Sequence, residues 1–138
     1  MNGFLLSTDV IAETLETSPD PKVEAWFAWA YDRPKILSVI TAGEMERAIR
    51  AVADARRRSQ MVAWWSFAFR GLGAELLLPV TPAVAARWGQ MMALSSRPAA
   101  RETELIVAAT AAEHGLALVT GRPRIFTGLG LDLINPFH

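Results

Sequence analysis

Five short apolar runs are separated along this chain by longer stretches in which apolar residues recur every three or four positions. The short runs are rich in branched and aromatic residues, which favour strands, and the longer spacing is typical of helices with one buried face. We predict strands at residues 4–6, 36–40, 75–78, 116–119 and 131–134. Because strands and helices alternate, the pattern predicts an α/β fold with a central, mostly parallel sheet of four to five strands flanked by helices.

Polar residues and prolines mark where the first helices start and stop. Thr8 or Asp9 is expected to cap a helix after the first strand, and the prolines at positions 19 and 21 divide it from a second helix. After the second strand, Thr41 is predicted to open one long helical stretch that runs toward Phe69. The three consecutive arginines at positions 56–58 should lie on its solvent-exposed side or at a bend.

Glycines and a Thr-Pro pair set the later boundaries. Gly71 and Gly73 are expected to end the long helix. Thr81 followed by Pro82 is typical of an N-cap with proline at the first helical position. That helix is predicted to run to about residue 94 and to be followed by a loop at residues 95–98. A last helix over residues 102–114 should end at Gly115.

Composition narrows the class of protein. The 138 residues are 51% hydrophobic, which favours one ordered domain over residues 1–138. Lys plus Arg and Asp plus Glu each number 14, so the chain lacks the net positive charge that wraps nucleic acid through bulk electrostatics. The absence of cysteine excludes disulfides, thiolate zinc sites and cysteine nucleophiles. With no signal-like start and no apolar run of ~18 to 20 residues, we expect a cytoplasmic protein without a membrane partner.

Three acidic residues lie where a predicted strand gives way to a helix: Asp9, Glu44 and Glu104. Since these junctions share one edge of a parallel sheet, the three carboxylates can converge on one pocket. Crowded carboxylates need a neutralising cation, and Mg²⁺ or Mn²⁺ prefers carboxylate oxygens and promotes phosphodiester hydrolysis. Each acid also has a local explanation. Thr41 with Glu44 matches a capping box, and the other two acids would meet the dipole at a helix start.

Other aromatic and reactive residues give weaker signals. Trp64 and Trp65 are adjacent on a predicted helix and cannot face the same way. One of them should therefore lie outside the main core, either at a partner surface or under a neighbouring helix. His114 is expected near a helix C-terminus and does not resemble a catalytic base. No recognisable motif places a histidine to activate Ser7 as a nucleophile.

Four segments of the chain resemble a known family. They are FLLSTDVIAE at residues 4–13, LSVITAGEMERAI at 37–49, ELIVAATAAEHGLALVTG at 104–121 and INPF at 134–137. These segments are similar to the strands and helices of PIN domains, in particular toxins of the VapC and FitB type, and the resemblance runs nearly end to end. It implies a small bacterial endoribonuclease that depends on Mg²⁺ or Mn²⁺, forms a homodimer and is held inactive by an antitoxin-like protein that binds DNA.

The acidic positions of that family are changed in this chain. Ser7 stands where the resemblance places the first aspartate, Arg122 at a polar position of the late motif, and Ile125 at its last acid. Glu44 matches the acid after the second strand, and Glu104 replaces a usual aspartate with a longer side chain. The carboxylates that the resemblance leaves as catalytic residues and metal ligands are Glu44, Glu104 and Asp9. The residues expected to line the pocket or to bind nucleic acid are Ser7, Thr8, Thr120, Arg122 and Arg124.

The replacements can be interpreted in more than one way. If the first strand continued through Ser7, Asp9 would point to the same face and replace the lost carboxylate. As a helix residue, Asp9 would instead be a cap or a dipole partner. Arg122 and Arg124 could hold an RNA phosphate or be ordinary exposed loop residues. The interpretation that we favour is that Arg122 pairs with Glu44 or Glu104 where a metal would otherwise lie, so that a bound ion is not needed.

Three functions follow from these alternatives. The first is a VapC-like toxin with a metal-dependent endoribonuclease activity that the replacements impair. The second is a catalytically inactive PIN-fold protein that acts by binding an antitoxin, another partner protein or RNA. The third, a PIN-like nuclease for DNA flaps or structured RNA, is disfavoured because the chain is short and has no basic arm.

Overall fold

A five-stranded parallel sheet forms the centre of the molecule. The computed structural model describes residues 3–71, 74–94 and 100–138, without the side chains of residues 70 and 74. The strands are β1 Phe4–Leu6, β2 Lys35–Ser38, β3 Leu77–Leu78, β4 Ala117–Val119 and β5 Leu133–Ile134. They lie in the order β3-β2-β1-β4-β5, and every neighbouring pair is parallel. The predicted α/β fold with a parallel sheet is confirmed.

Six α-helices flank this sheet in the part of the chain that the structure describes. They are α1 Thr8–Thr14, α2 Pro21–Trp29, α3 Val39–Arg50, α4 Ala55–Arg70, α5 Pro82–Ala93 and α6 Glu102–Glu113. Two short 3-10 helices cover Ala74–Leu76 and Pro123–Phe126. Among the described residues, no helix is both long and apolar enough to cross a bilayer.

Alternate residues of the strands pack into two separate cores. Successive side chains of a strand point to opposite faces of the sheet, so each strand contributes to both cores. On the face covered by α5 and α6, the strands contribute Leu5, Ile36 and Leu118. On the face covered by α1, α3 and α4, they contribute Phe4, Leu6, Leu37 and Val119. Burial on both faces explains why the strands are continuous apolar runs.

The prediction of one long helix from Thr41 to Phe69 is wrong, because α3 ends at Arg50 and α4 begins at Ala55. The arginine cluster lies in the first turn of α4, immediately after this break. Arg58 Nη1 donates to the carbonyl oxygen of Val52 at 2.8 Å, and Arg57 Nη2 donates to that of Leu15 at 2.7 Å. Carbonyl groups outside regular helix need such donors. The arginines therefore mark a bend, one of the two positions predicted for them.

The starts of α1 and α3 differ from the predicted caps. Ser7, and not Thr8 or Asp9, is the N-cap residue of α1. Ser38 is the N-cap of α3 and accepts a hydrogen bond from the backbone N–H of Ile40 at 3.0 Å. The second strand therefore ends at residue 38, two residues earlier than predicted. Thr41 is buried inside the helix, and its hydroxyl has no hydrogen-bond partner among the described residues, so the Thr41–Glu44 capping box is wrong.

The later boundaries agree better with the sequence. Thr81 caps α5 by accepting from the N–H of Val84 at 3.2 Å, and Gly71 is the C-cap of α4. Gly115 follows α6 with a φ of +64°, the left-handed conformation that favours glycine after a helix. The third and fifth strands are shorter than predicted, because Glu75 belongs to a 3-10 turn and β5 has two residues. Gly73 and the predicted loop at 95–98 lie outside the described residues.

Candidate functional site

A small cleft of about 70 Å³ lies at the carboxyl ends of β1 and β4. The strand order reverses at this point: β2 and β3 lie on one side of β1, and β4 and β5 lie on the other. Ligands of parallel α/β sheets bind at such positions because the loops on the two sides diverge. The predicted site residues that line the cleft are Asp9, Glu44, Glu104, Ser7, Thr8, Thr120 and Arg122. The three carboxylates therefore converge on one pocket as predicted, but the prediction that each follows a strand is wrong for Glu104, whose helix α6 follows helix α5.

Asp9 lies in the first turn of α1, and its carboxylate joins the ends of two strands. Oδ1 accepts a hydrogen bond from the hydroxyl of Ser7, directly after β1. Oδ2 accepts one from the backbone N–H of Gly121, which follows β4, at 2.9 Å. The strand does not continue through Ser7 as the replacement hypothesis assumed, because α1 begins at Thr8. The carboxylate of Asp9 nevertheless lies beside Ser7, where the hypothesis needs it.

Glu44 connects the two helices on one wall of the cleft. It lies in α3, and its Oε1 accepts a hydrogen bond from the hydroxyl of Thr8 at 2.8 Å. Since Thr8 is the first residue of α1, this bond ties the start of that helix to α3. Glu44 therefore has a tertiary partner 36 residues away in place of the local capping partner that its sequence pattern suggests.

Glu104 is held by two arginines at the start of α6. Its Oε1 accepts from the backbone N–H of Arg101 at 2.9 Å and from Arg101 Nε at 3.3 Å. Its Oε2 accepts from Arg122 Nη1 at 2.9 Å. The Glu104 side chain is 16% exposed, whereas that of Arg122 is 51% exposed. Glu104 therefore lies at a helix start, as predicted, and it forms the ion pair with Arg122 that we favoured.

Arg101 lines the cleft and was missed by the sequence reasoning. The signal that could have found it is its spacing, because it stands three residues before Glu104 at the N-cap of the helix. Arg124 is exposed and is not among the cleft residues, so the structure does not bring it to the site. Ile125 is partly buried and packs against the core on the α5 and α6 side. Of the two predicted arginines, Arg122 alone contributes to the cleft.

Comparison with known proteins gives the same family that the four segments suggest. No protein-family profile matches the chain. Toxin FitB of Neisseria gonorrhoeae is 26% identical over 137 residues, which cover 98% of this chain and 99% of the relative. A VapC ribonuclease of Sinorhizobium fredii is 28% identical over 137 residues, covering 98% of each chain. The structure of FitAcB from Neisseria gonorrhoeae matches with a TM-score of 0.87 and 26% identity, over 98% of this chain and 99% of that chain.

The chain has the fold of a PIN domain and is similar over nearly its whole length to toxins of the VapC/FitB type. A DNA-bound VapBC structure from Salmonella typhimurium, 21% identical with a TM-score of 0.79, covers 99% of both chains and has the same fold. The changed positions can therefore be located within a PIN fold. Ser7, at the first acidic position, lies at the end of β1, and Arg122, at the polar position, lies in the loop after β4, so both line the cleft. Ile125, at the last acidic position, packs against the core instead.

The carboxylates of this PIN domain do not fit a divalent ion as they are arranged. Within residues 3–71, 74–94 and 100–138, no group of three acidic or histidine side chains is placed to hold a metal. Mg²⁺ and Mn²⁺ need several free carboxylate or water oxygens around one point. Here Asp9 faces a hydroxyl and a backbone N–H, and Glu104 faces two guanidinium groups. The donors already present satisfy the carboxylates in the way that a cation would.

A second concave surface lies on the other face of the sheet. This apolar groove has a volume of about 330 Å³, and its walls include Leu6, Ile11, Phe27, Leu37, Trp64 and Trp65. Trp65 is 3% exposed and Trp64 is 44% exposed, so the prediction that one of the pair lies outside the core is confirmed. Phe67, three residues after Trp64 on the same helix, is also exposed. The groove therefore adjoins exposed aromatic surface on α4.

Proposed function

We propose that this PIN domain is the toxin-type component of a toxin–antitoxin pair and that its endoribonuclease chemistry is impaired. Its relatives over nearly the full length are named a toxin and a ribonuclease, which supports the general function. The impairment is supported by one observation, the ion pair of 2.9 Å between Arg122 and Glu104 inside the acidic cleft. Arg122 puts a cation at the place where the resemblance expects a polar residue.

The charge balance of the cleft supports this proposal. Three carboxylates and two guanidinium groups line it, which leaves a net charge of −1. A divalent ion entering the cleft would meet the repulsion of Arg101 and Arg122 and would have to displace their hydrogen bonds to Glu104. Mg²⁺ or Mn²⁺ should therefore bind weakly.

The apolar groove supports the second half of the proposal, an antitoxin-like partner. FitAB and VapBC structures, which the fold of this chain matches, are complexes of two kinds of chain. A groove lined by Leu6, Phe27 and Trp64 suits an apolar segment of such a partner. Exposed tryptophan and phenylalanine beside it add the large apolar side chains that dominate binding energy. A homodimer and a cytoplasmic location belong to the same proposal, and sedimentation of the purified chain measures the first.

The experiment that tests impaired catalysis is a calorimetric Mn²⁺ titration beside an RNA-cleavage assay, for the wild type and Glu44→Gln. We expect weak Mn²⁺ binding that does not saturate in either protein, and no cleavage by the wild type above the level of Glu44→Gln. Saturable Mn²⁺ binding with cleavage that both the substitution and a chelator abolish would overturn the proposal. The partner is tested by co-expression of the chain with candidate antitoxins, followed by purification of a complex of defined stoichiometry.

A working metal-dependent endoribonuclease is the second candidate. The observation that favours it is the position of Asp9, whose carboxylate lies beside Ser7 in the same cleft as Glu44. If Asp9 replaces the lost family aspartate, Asp9→Asn should abolish Mn²⁺-dependent cleavage of RNA while Ser7→Ala leaves it. Equal cleavage by the wild type and Asp9→Asn would exclude this candidate.

A further inference from the structure

We infer that Phe137 is a positioning residue of the cleft, which holds Gly121 against Asp9 and so keeps the Asp9 carboxylate beside Ser7. Phe137 follows β5 and does not line the cleft itself. It acts on the cleft through the backbone of the loop after β4. The inference rests on the proposed function in one respect, because the proposed function is what gives the cleft a role in ligand binding.

The packing around Gly121 is the first observation. The backbone N–H of Gly121 donates to Asp9 Oδ2 at 2.9 Å. A Cβ atom at Gly121 would lie 2.8 Å from that same oxygen, 2.8 Å from Phe137 Cε2 and 2.9 Å from Phe137 Cδ2. Non-bonded carbon atoms pack at about 3.5 to 4.0 Å, so no side chain fits there. Gly121 is therefore enclosed by the carboxylate of Asp9 and the ring of Phe137.

Gly121 does not have the positive φ angle that usually explains why a position is occupied by glycine. The glycines with positive φ in the described residues are Gly115, Gly128 and Gly130. Gly121 does not need the left-handed conformation, so another residue could adopt its backbone angles. What it needs is the absence of a side chain, because two groups approach the same α-carbon. The close approach to Phe137 is therefore a specific contact of this site.

The segment that carries Phe137 is anchored by hydrogen bonds and packing, so the ring of Phe137 can hold the backbone of Gly121 in place. Val119 pairs with Ile134 in the sheet, and the N–H of Thr120 donates to the carbonyl oxygen of Ile134 at 2.9 Å. The N–H of Phe137 donates to Asn135 Oδ1 at 3.0 Å, which closes a turn after β5. The ring of Phe137 packs against the core on the α1, α3 and α4 face. It is thus supported on one side by the core and contacts Gly121 on the other.

The consequence concerns Asp9, which lies in the first turn of a seven-residue helix. An acid at that position is stabilised by the helix start wherever its side chain points. The N–H of Gly121 gives it one orientation, toward the end of β4. Removing the ring of Phe137 frees the Gly121 backbone to shift, and the hydrogen bond to Asp9 should lengthen or break. The Asp9 carboxylate then loses one of its two donors.

The experiment is ¹H–¹⁵N spectroscopy of the Gly121 amide, which requires no RNA, metal or partner. Because removing the ring also changes the ring-current shift of nearby protons, the readout is the hydrogen-exchange rate of the Gly121 amide. In Phe137→Ala we expect this exchange to accelerate by roughly tenfold, in the same direction as in Asp9→Ala. Phe137→Leu also lacks the ring but keeps an apolar side chain, and it should accelerate the exchange by a smaller factor. If Phe137→Ala unfolds the chain, Phe137→Leu decides the result, because exchange at the wild-type rate would overturn the inference.

The matched control is Phe27→Ala. Phe27 is a partly buried phenylalanine that packs against the same core but lies at the apolar groove. It should lower the unfolding temperature to a similar degree and leave the Gly121 amide unchanged. Gly121 exchange that does not accelerate in Phe137→Ala, or accelerates equally in Phe27→Ala, overturns the inference. Failure of the nuclease or antitoxin assays would not affect this readout, so the inference and the proposed function fail separately.

A double-mutant cycle gives an independent test. Gly121→Ala introduces a methyl group that meets the ring of Phe137, so we expect it to destabilise the wild type. In the Phe137→Ala background the ring is absent, and the same substitution should cost clearly less unfolding free energy. Strictly additive effects of the two substitutions would show that the ring does not press on Gly121 and would contradict the inference.

Discussion

Replacing Arg122 by glutamine should tighten divalent-ion binding in the cleft while leaving the fold almost unchanged. The side chain is 51% exposed and makes one ion pair, with Glu104, at 2.9 Å. Exposed ion pairs stabilise proteins by about 0 to 1 kcal/mol, so the loss of stability should stay within that range. Glu104 keeps its two hydrogen bonds from Arg101 in the variant, and helix α6 keeps its capped start.

The gain in metal affinity follows from the charge of the cleft. Its net charge of −1 becomes −2 when Arg122 is removed. A divalent ion roughly 5 Å from a unit positive charge in a water-like dielectric is repelled by about 1.7 kcal/mol. Relief of that repulsion corresponds to roughly tenfold tighter binding. Salt screens the interaction between partly exposed charges, so the difference should be largest at low ionic strength.

The assay is calorimetric Mn²⁺ titration at two salt concentrations, with Arg124→Gln as the matched control. Arg124 lies two residues away, is exposed and does not line the cleft, so its replacement removes the same charge from the chain without changing the site. We expect Mn²⁺ to bind more tightly to Arg122→Gln than to the wild type or Arg124→Gln. Adding Glu104→Gln should reverse the gain. Equal affinities in the two arginine variants would refute the idea that Arg122 takes the place of a metal.

Three further outcomes are expected. Leu5→Ala, at a fully buried position of the central strand, should cost about 2 to 5 kcal/mol of unfolding free energy in urea denaturation, and a loss below ~1 kcal/mol would contradict the proposed core. Thr81→Ala should cost about 1 kcal/mol because it removes the cap of α5, whereas Thr81→Ser should restore most of it. In a purified complex with the antitoxin-like partner, Trp64→Ser should weaken binding by tenfold or more without a matching loss of stability. The control is Leu94→Ser, at an exposed apolar position away from the groove, which should leave the affinity unchanged.

The order of strands and helices could be predicted from the sequence because it depends on local properties of the chain. Apolar spacing identified all five strands of the parallel sheet, and Thr81 and Gly115 marked helix ends by short-range hydrogen bonding and backbone conformation. Local signals failed where another nearby residue competed with the predicted one. Ser38 caps α3 in place of Thr41, and the long helix is broken at a bend where the carbonyl oxygen of Val52 accepts from Arg58.

The sequence by itself also placed Asp9 and Glu44 in the cleft, because both stand at strand-to-helix junctions that share one edge of a parallel sheet. Glu104 and Arg101 belong to the start of α6, which follows helix α5 and not a strand, so the tertiary packing of α6 brings them there. Only the tertiary structure decided what each carboxylate binds. Glu44 meets Thr8 across 36 residues, Glu104 meets Arg122 across 18, and Asp9 meets the N–H of Gly121 across 112. No local pattern encodes these partners, since hydrogen bonds form within about 3 Å and depend on how separate elements pack. The same packing encloses Gly121 with Phe137, a contact that the residue types alone do not predict.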